Sequence, residues 1–448
     1  MIRYIPDARE AALTSQRFWD HMDRIDSEGA SQIWQNILRG VVKSEEIDLS
    51  SLLYDGTNFY TFIDTFNIRC EIAKRGKNKQ GRTNLRQVSY ALFCSTDGHI
   101  PVFYDVYEGN RHDAKQFPQM LERFHSFYKD LSQGLCKTPE TTLVFDKGNN
   151  SEPNCALLDS LQIKYVGSVK LDEHKDLAMI SNNDPAFVPC GPGLEGTKAF
   201  RVKRDVYGKE MVLVVTYNQN LFNTQWLTLQ NDIEKALESL SLLHQKLEDR
   251  INGIVTRGKA PTRESSENHC KEILSRQYLK RIVDVDFEEI AEKKVRMVYG
   301  VNADKLQEVA DTYLGKNIII TNREDWDNVK VIRTYRSQFM IEEVFKEMKD
   351  RTTGSWWPLF HWTDSKIRVH GLYCTIALLL RALAIRRVRQ GGLHLSTKRI
   401  LSELDEIREV INIYPCKGKQ KVDRKQTVLT RTSELQQKLI SILGLEVH

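Results

Sequence analysis

None of the eight cysteines (Cys70, Cys94, Cys136, Cys155, Cys190, Cys270, Cys374, Cys416) stands in a Cys-x-x-Cys pair, and no histidine cluster completes a zinc site. A disulfide scaffold and a structural zinc module are therefore excluded, and a reduced, cytosolic setting is expected. Long apolar runs are also missing. The longest, around Gly371–Leu380, stops at Arg381, short of the roughly 20 residues that a bilayer span requires. Met1–Glu10 has no apolar leader core, so secretion and membrane insertion are both disfavoured. Glycine (24) and proline (11) are too scarce for a fibrous or low-complexity chain. Charge of one sign is not in large excess either: 65 basic residues face 60 acidic ones, a net +5 over 448 residues.

What is present is an ordinary globular balance, 41% apolar and 28% charged, on a chain long enough for two or three domains. The charge is unevenly placed. Residues 381–448 hold 14 basic residues against seven acidic ones, so everything before them is slightly acidic. A second basic stretch, Arg69, Lys74, Arg75, Lys77, Lys79, Arg82 and Arg86 against Glu71, is interrupted by Gly76 and Gly81. It reads either as a solvated loop or as a phosphate-holding one.

Apolar spacing predicts helix over residues 1–45, then short strands at Leu52–Tyr54, Phe59–Phe66, Gln87–Cys94 and Ile100–Tyr107. Helices are expected over 113–132 and 152–161, with buried strands at Thr142–Phe145 and Lys164–Val169. This alternation indicates a layered α/β domain with a mixed sheet. Residues 170–220 read as loops followed by strands. From Trp226 to Ile254 apolar residues recur every three or four positions, a helix that either packs on its own domain or zips to a partner. Arg257–Asn268 reads as a polar linker, Lys316–Thr321 as a buried strand, and Ile332–Arg389 as mainly helical. Cys416–Gln426 reads as disordered before a short closing helix. Gly191–Gly196 matches G-x-G-x-x-G but follows no strand and opens no helix, so it reads as a loop.

Two carboxylates occupy positions where chemistry is often placed. Asp55 follows Leu52-Leu53-Tyr54, and Asp146 ends Thr142–Phe145 before Lys147-Gly148. Each alone is more often a turn-former or a helix cap. A third element changes the weighing: Tyr335, Glu342 and Lys349 are spaced seven apart, which on one continuous helix puts them on one face, beside an apolar docking face of Ile341, Val344, Phe345 and Met348. Three convergent carboxylates repel unless neutralised, and hard divalent cations with oxygen ligands are the natural solution. Two such ions about 4 Å apart support in-line displacement at a phosphodiester. The tryptophans Trp356, Trp357 and Trp362, like Trp226 and Trp326, read as packing residues or as stacking platforms for a displaced base.

Tyr54-Asp55-Gly56-Thr57, Gly76-Lys77-Asn78-Lys79, Asp97-Gly98-His99-Ile100-Pro101 with Glu108-Gly109-Asn110, Phe145-Asp146-Lys147-Gly148 and the Tyr335–Lys349 segment together resemble a DDE transposase. More narrowly, they are similar to the IS4-type group of bacterial insertion-sequence transposases, in its IS1634-like branch. The resemblance implies an α/β fold: a ribonuclease-H-like mixed sheet flanked by helices, with an α+β domain inserted between the second catalytic Asp and the catalytic Glu. Asp146 lies 91 residues after Asp55, and Glu342 a further 196 on. The implied division is 1–47, an N-terminal helical segment; 48–170, the first part of the core; 171–315, the insertion; 316–390, the second part of the core; and 391–448, a basic tail.

The resemblance further implies Asp55, Asp146 and Glu342 as catalytic residues and as ligands of Mg²⁺ or Mn²⁺. It places Tyr335 and Lys349 on DNA backbone. Gln338 stands where the family has Arg, leaving Arg336 as the nearby cation; Lys77 and Lys79 extend the DNA-contacting set. The implied activity is cleavage of insertion-sequence ends and strand transfer to target DNA. Double-stranded DNA is the implied partner, with a homodimer in the DNA complex, no membrane, and a cytoplasmic, nucleoid-associated location. A DNA-binding remnant without activity and a structure-selective nuclease on the same core are the alternatives. The stretch before Asp55 is shorter than relatives carry, which implies a compact member or an N-terminally shortened one.

Overall fold

The computed structural model describes residues 14–76, 81, 84–111, 113–133, 140–258, 261–291, 294–351, 356, 361–414 and 424–445. Along the chain these form α1 (Ser15–Met22), α2 (Ser27–Ser44), β1 (Ser51–Thr61), β2 (Lys74–Arg75), β3 (Arg86–Ser95), β4 (Pro101–Glu108), α3 (Asp113–Ser132), β5 (Thr142–Val144), α4 (Glu152–Ser160) and β6 (Lys164–Val169). Next come α5 (Lys175–Ala178), β7 (Val188–Pro189), β8 (Thr197–Val206), β9 (Lys209–Asn218), α6 (Gln219–Ile251), α7 (Arg263–Ile273), α8 (Leu279–Ile282), β10 (Val283–Ala291), β11 (Lys294–Val301), α9 (Ala303–Tyr313) and β12 (Lys316–Thr321). The chain continues with α10 (Asn328–Arg336), α11 (Phe339–Lys349), α12 (Asp364–Gln390), α13 (Thr397–Glu406), β13 (Glu409–Tyr414), β14 (Arg424–Leu429) and α14 (Glu434–Leu443).

The chain divides into two compact units: residues 1–166 with 334–448, and residues 167–333. In the first, β1 pairs antiparallel with β3, and β3 with β4 and β2. On its other edge β1 runs parallel to β5, and β5 parallel to β6. This is the mixed sheet expected of the α/β class. Its strands are nearly continuous apolar runs because helices cover them. Tyr54, Phe93, Phe103, Phe117 and Phe124 form an aromatic layer under α3, with Phe93 and Phe124 stacked at 4.3 Å.

The other face carries Phe59, Tyr90, Tyr104 and Trp356, where Phe59 and Trp356 meet edge-on at 4.5 Å. Helix α12 is long and apolar enough by composition to cross a membrane, with half of its most apolar window buried. It packs on α1, α2, β4 and α14. Arg368 donates to the Val106 carbonyl at 2.5 Å, and Arg386 holds Asp97 through two bonds of 2.9 Å.

In the second unit β12, β9, β8 and β7 form consecutive antiparallel pairs, and β10–β11 is a separate hairpin. The long helix α6 sits on its own unit: Leu229, Ala236, Leu240 and Leu247 are buried with Cys270, Ile282, Met297 and Val309. That resolves the choice left open by its periodicity. Lys316 is buried at the start of β12, where its ammonium donates to the carbonyls of Ala178, Ile180 and Asp311 at 2.5, 2.8 and 2.6 Å. Burial pulls its pKa down to about 8.

Several expectations need correction. Leu52–Tyr54 and Phe59–Phe66 are not two strands: Asp55 and Gly56 continue the ladder against Leu92 and Ala91, and β1 ends at Thr61. The polar linker from Arg257 contains α7, started by a Thr262–Ser265 capping box. Part of the segment read as disordered is strand β14, while residues 415–423 lie outside the described residues. The helical reading around residue 335 fails at Ser337-Gln338, where three-residue bonds replace the four-residue ladder and separate α10 from α11. Gly191–Gly196 is a loop, as read, with three glycines at positive φ.

Candidate active site

Strand register brings the segments that carry the two aspartates together. Leu53 of β1 is the parallel partner of Val144 in β5. Asp55 lies two residues further along within β1, and Asp146 two residues beyond the end of β5, so both follow the paired segment in the same direction. Side-chain alternation then sets their direction. Tyr54 and Phe145, the preceding residues, are buried against Phe117 of α3, at 4.9 and 5.0 Å between rings. Asp55 therefore projects to the opposite face, together with Thr57 and Phe59. Asp55 is half-buried within β1 and accepts the Gly56 amide at 2.8 Å. Asp146 is exposed, accepts the Lys147 amide at 2.7 Å and caps a short 3-10 turn over Lys147–Asn149.

The face bearing Asp55 is the one α11 covers. Ile341, Val344, Phe345 and Met348 are buried, and α11 packs on β1. Lys349 in its last turn donates to Thr57 Oγ1 at 2.6 Å, with its ammonium 5.3 Å from the centre of the Phe59 ring. Thr57 is two residues from Asp55 on the same side of the strand, so a cation is fixed about 7 Å from the first aspartate. Glu342 lies in the first turn of α11, about 10 Å back along the helix from Lys349, and it is exposed.

The fold thus brings Asp55, Asp146, Lys349 and the helix of Glu342 to one side of one sheet. Carboxylate oxygens from Asp55 and Asp146 are the donors a hard divalent ion takes. Glu342 is not drawn into a group with them: among the described residues no three His, Cys, Asp or Glu side chains are gathered closely enough to hold a metal ion.

Tyr335, half-buried, and Arg336, exposed, end α10 on the far side of the Ser337-Gln338 break. The seven-residue spacing therefore does not align Tyr335 with Glu342 and Lys349 on a single helical face. Lys77 and Lys79 lie outside the described residues. Within the same basic stretch, Arg86 is turned to the protein instead of to solvent. It donates to the carbonyls of Ala73, Asp64 and Asn67 at 2.6, 2.9 and 3.0 Å and to that of Cys70, tying the loop together.

Among the tryptophans, Trp356 is buried and Trp362 exposed, while Trp357 lies outside the described residues. Trp326 in the second unit is buried with Lys330 4.2 Å from its ring, and Trp226 packs against the α6 core. A pair not read from the sequence lies near the start of α12. His361 and His370 meet at 4.6 Å between rings, and the buried Nδ1 atoms of both have no hydrogen-bond partner among the described residues. Burial pushes the His370 pKa down to about 4, with the neighbouring His361 adding to the shift.

A family of transposase DDE domains matches residues 50–380. No curated protein matches. Among solved structures, the chain is similar to the piggyBac transposase in its synaptic complex with hairpin DNA, at 10% identity and a TM-score of 0.36, over 88% of this chain and 62% of that one. It is also similar to the Mos1 transposase in a paired-end complex with the left transposon end, at 12% identity and a TM-score of 0.19, over 36% of this chain and 44% of that one. The Mos1 mariner paired-end complex with Mn gives 10% identity and a TM-score of 0.18, over 36% of this chain and 54% of that one. The chain thus spans less than two thirds of each of these proteins.

Proposed function

The chain belongs to the transposase DDE domain family, and from that premise we propose that it cleaves the ends of an insertion sequence and joins them to target DNA. The observation that carries the reading is the parallel pairing of β1 with β5, each leading into one of the two aspartates, with the helix of Glu342 packed on β1.

We assign the core to the ribonuclease-H-like fold. The spatial order β4-β3-β1-β5-β6, three antiparallel strands followed by two parallel ones, supports this. In this reading the unit at 167–333 is the domain inserted between the second Asp and the Glu. The finer placement is in the IS4-type group, IS1634-like branch, supported by the motif set around Asp55, Asp146 and Glu342.

Asp55 and Asp146, joined by Glu342, would hold Mg²⁺ or Mn²⁺. When bound, the ion supplies Lewis-acid activation of a water or 3′-hydroxyl and charge neutralisation at the phosphodiester. The chain's own part is positioning. Thr57 and Phe59 fix the Lys349 ammonium beside Asp55, where it would take a phosphate oxygen. Tyr335 and Arg336 would extend the same track, with Lys77 and Lys79 reaching it from the basic stretch. The partner is double-stranded DNA, bound as a homodimer in the nucleoid-associated cytoplasm.

Asp55→Asn, Asp146→Asn and Glu342→Gln are each expected to abolish end cleavage in Mg²⁺ or Mn²⁺ while binding DNA as the wild type does. Full cleavage by any one removes that residue from the chemistry. The rival reading, a protein that binds DNA without cutting it, takes its support from Glu342, which stands exposed outside any three-carboxylate group among the described residues. Strand cleavage by the wild type in Mn²⁺ decides against it.

A further inference from the structure

The β13–β14 hairpin emerges between α13 and α14 and forms a two-stranded sheet of its own. Its base is fixed. Thr430 N–H donates to Arg408 O at 2.9 Å, and Arg408 N–H donates to Thr430 Oγ1 at 3.0 Å. Beneath it Val388, Ile400 and Leu439 form a small buried core joining α12, α13 and α14. Beyond that base, ten of the twelve strand residues are exposed. Two strands with both faces in water are marginal without something to lie against.

Register and charge indicate what that is. Asn412 pairs with Gln426 and Tyr414 with Arg424, so these four side chains share one face towards the far end. The Tyr414 hydroxyl donates to Gln426 Oε1 at 3.0 Å, which orients the amide. Arg408, Arg424, Lys425 and Arg431 face a single acid, Glu409, in the described part of the hairpin. A basic antiparallel ribbon fits the DNA major groove, about 12 Å wide, and Asn, Gln and Arg are the side chains that pair bidentately with adenine and guanine edges there.

We propose that the β13–β14 hairpin enters the major groove of duplex DNA, with Asn412, Tyr414, Arg424 and Gln426 towards the bases and Lys425 towards phosphate. This rests on the reading of the chain as a protein that acts on duplex DNA, and it adds an element remote in sequence from the aspartates. The opposite face carries exposed Ile411 and Ile413 with Lys425 at its edge, while Val410 and Val428 flank the base-facing set; a second copy of the chain would cover Ile411 and Ile413 if the hairpin served self-association instead.

The test uses the full-length chain in EDTA with a labelled duplex of mixed sequence, about three helical turns long, titrated by fluorescence anisotropy across NaCl concentrations. The double variant Arg424→Ser, Lys425→Ser is expected to bind about tenfold more weakly near physiological salt, with its log–log salt slope reduced by about 1. Asn412→Ala with Gln426→Ala is expected to flatten the sequence preference recovered from a random-duplex selection while changing mixed-sequence affinity less than about twofold. Unchanged affinity and slope in the charge variant overturn the inference. So does an Ile411→Ser, Ile413→Ser variant that turns a dimer into a monomer while the charge variant binds DNA normally. If the wild type binds no duplex at all, the proposed function falls with it; if the wild type binds and the hairpin variants match it, only this inference falls.

Discussion

Acidification is expected to destabilise the first unit through the His361–His370 pair. The folded pKa of His370 is lowered to about 4, from 6.5 when unperturbed. Between those values the unfolded chain binds the proton and the folded one does not. The contribution of the neutral imidazole is therefore fully present above pH 6.5 and is lost as the pH falls towards 4. The whole interval is worth about 3 kcal/mol, at about 1.4 per pKa unit, and by pH 5 about 2 kcal/mol is already gone. His361 is lowered by burial too and adds in the same direction. Asp97 and Glu45, held low by Arg386 and Arg387, respond only at more acidic pH. Urea unfolding followed by tryptophan fluorescence at pH 7.5, 6 and 5 measures the loss, with His370→Asn as the comparison. The variant is expected to lose less stability over this range than the wild type, by about 2 kcal/mol, because the linkage through residue 370 is gone. Parallel stability–pH curves for the two proteins between pH 7 and 5 would refute the reasoning.

Lys349→Met should cost about 1–2 kcal/mol in stability, since the bond to Thr57 and the contact with Phe59 both disappear. It should also reduce the salt slope of DNA binding by about 1, which Lys349→Arg restores; an unaltered slope would remove Lys349 from the DNA track. Lys316→Ala leaves three carbonyls of the second unit without their donor and should cost about 3 kcal/mol or more, read as lost hydrogen-exchange protection in β9 and β12. Retained protection there would show that water replaces the ammonium.

The aspartates were legible in the sequence because each follows a short run of buried β-forming residues. Their alignment was not, because it depends on which residue of β1 faces which of β5, and no local pattern encodes a parallel register between strands so distant in the chain. The continuation of β1 through Asp55 was hidden for a related reason: Asp-Gly is a turn signal, overridden here by a ten-residue ladder with β3. The α10–α11 break was invisible because Ser337-Gln338 contains neither Pro nor Gly. Arg86 belonged to a basic stretch that suggested solvent or phosphate, yet four backbone carbonyls claim it, a partnership visible only once the loop closes. The β13–β14 hairpin was missed because its strands are short and the second, RKQTVL, opens on polar and charged residues.

The helix of Glu342 docks on a strand made far earlier in synthesis, and this orders events on the ribosome. Strand β1 and its neighbours through β6 are complete once Val169 has been added, but α11 is complete only at Lys349, after the whole second unit has been made. During that interval Phe59 and Tyr90 lack the cover that Trp356 later supplies, so the nascent chain carries an apolar sheet face that a chaperone or the ribosome surface must shield. A translation product ending before Phe339 would retain both aspartates but have neither Glu342 nor Lys349. Premature termination would then yield a chain with both aspartates and no α11 to pack on β1.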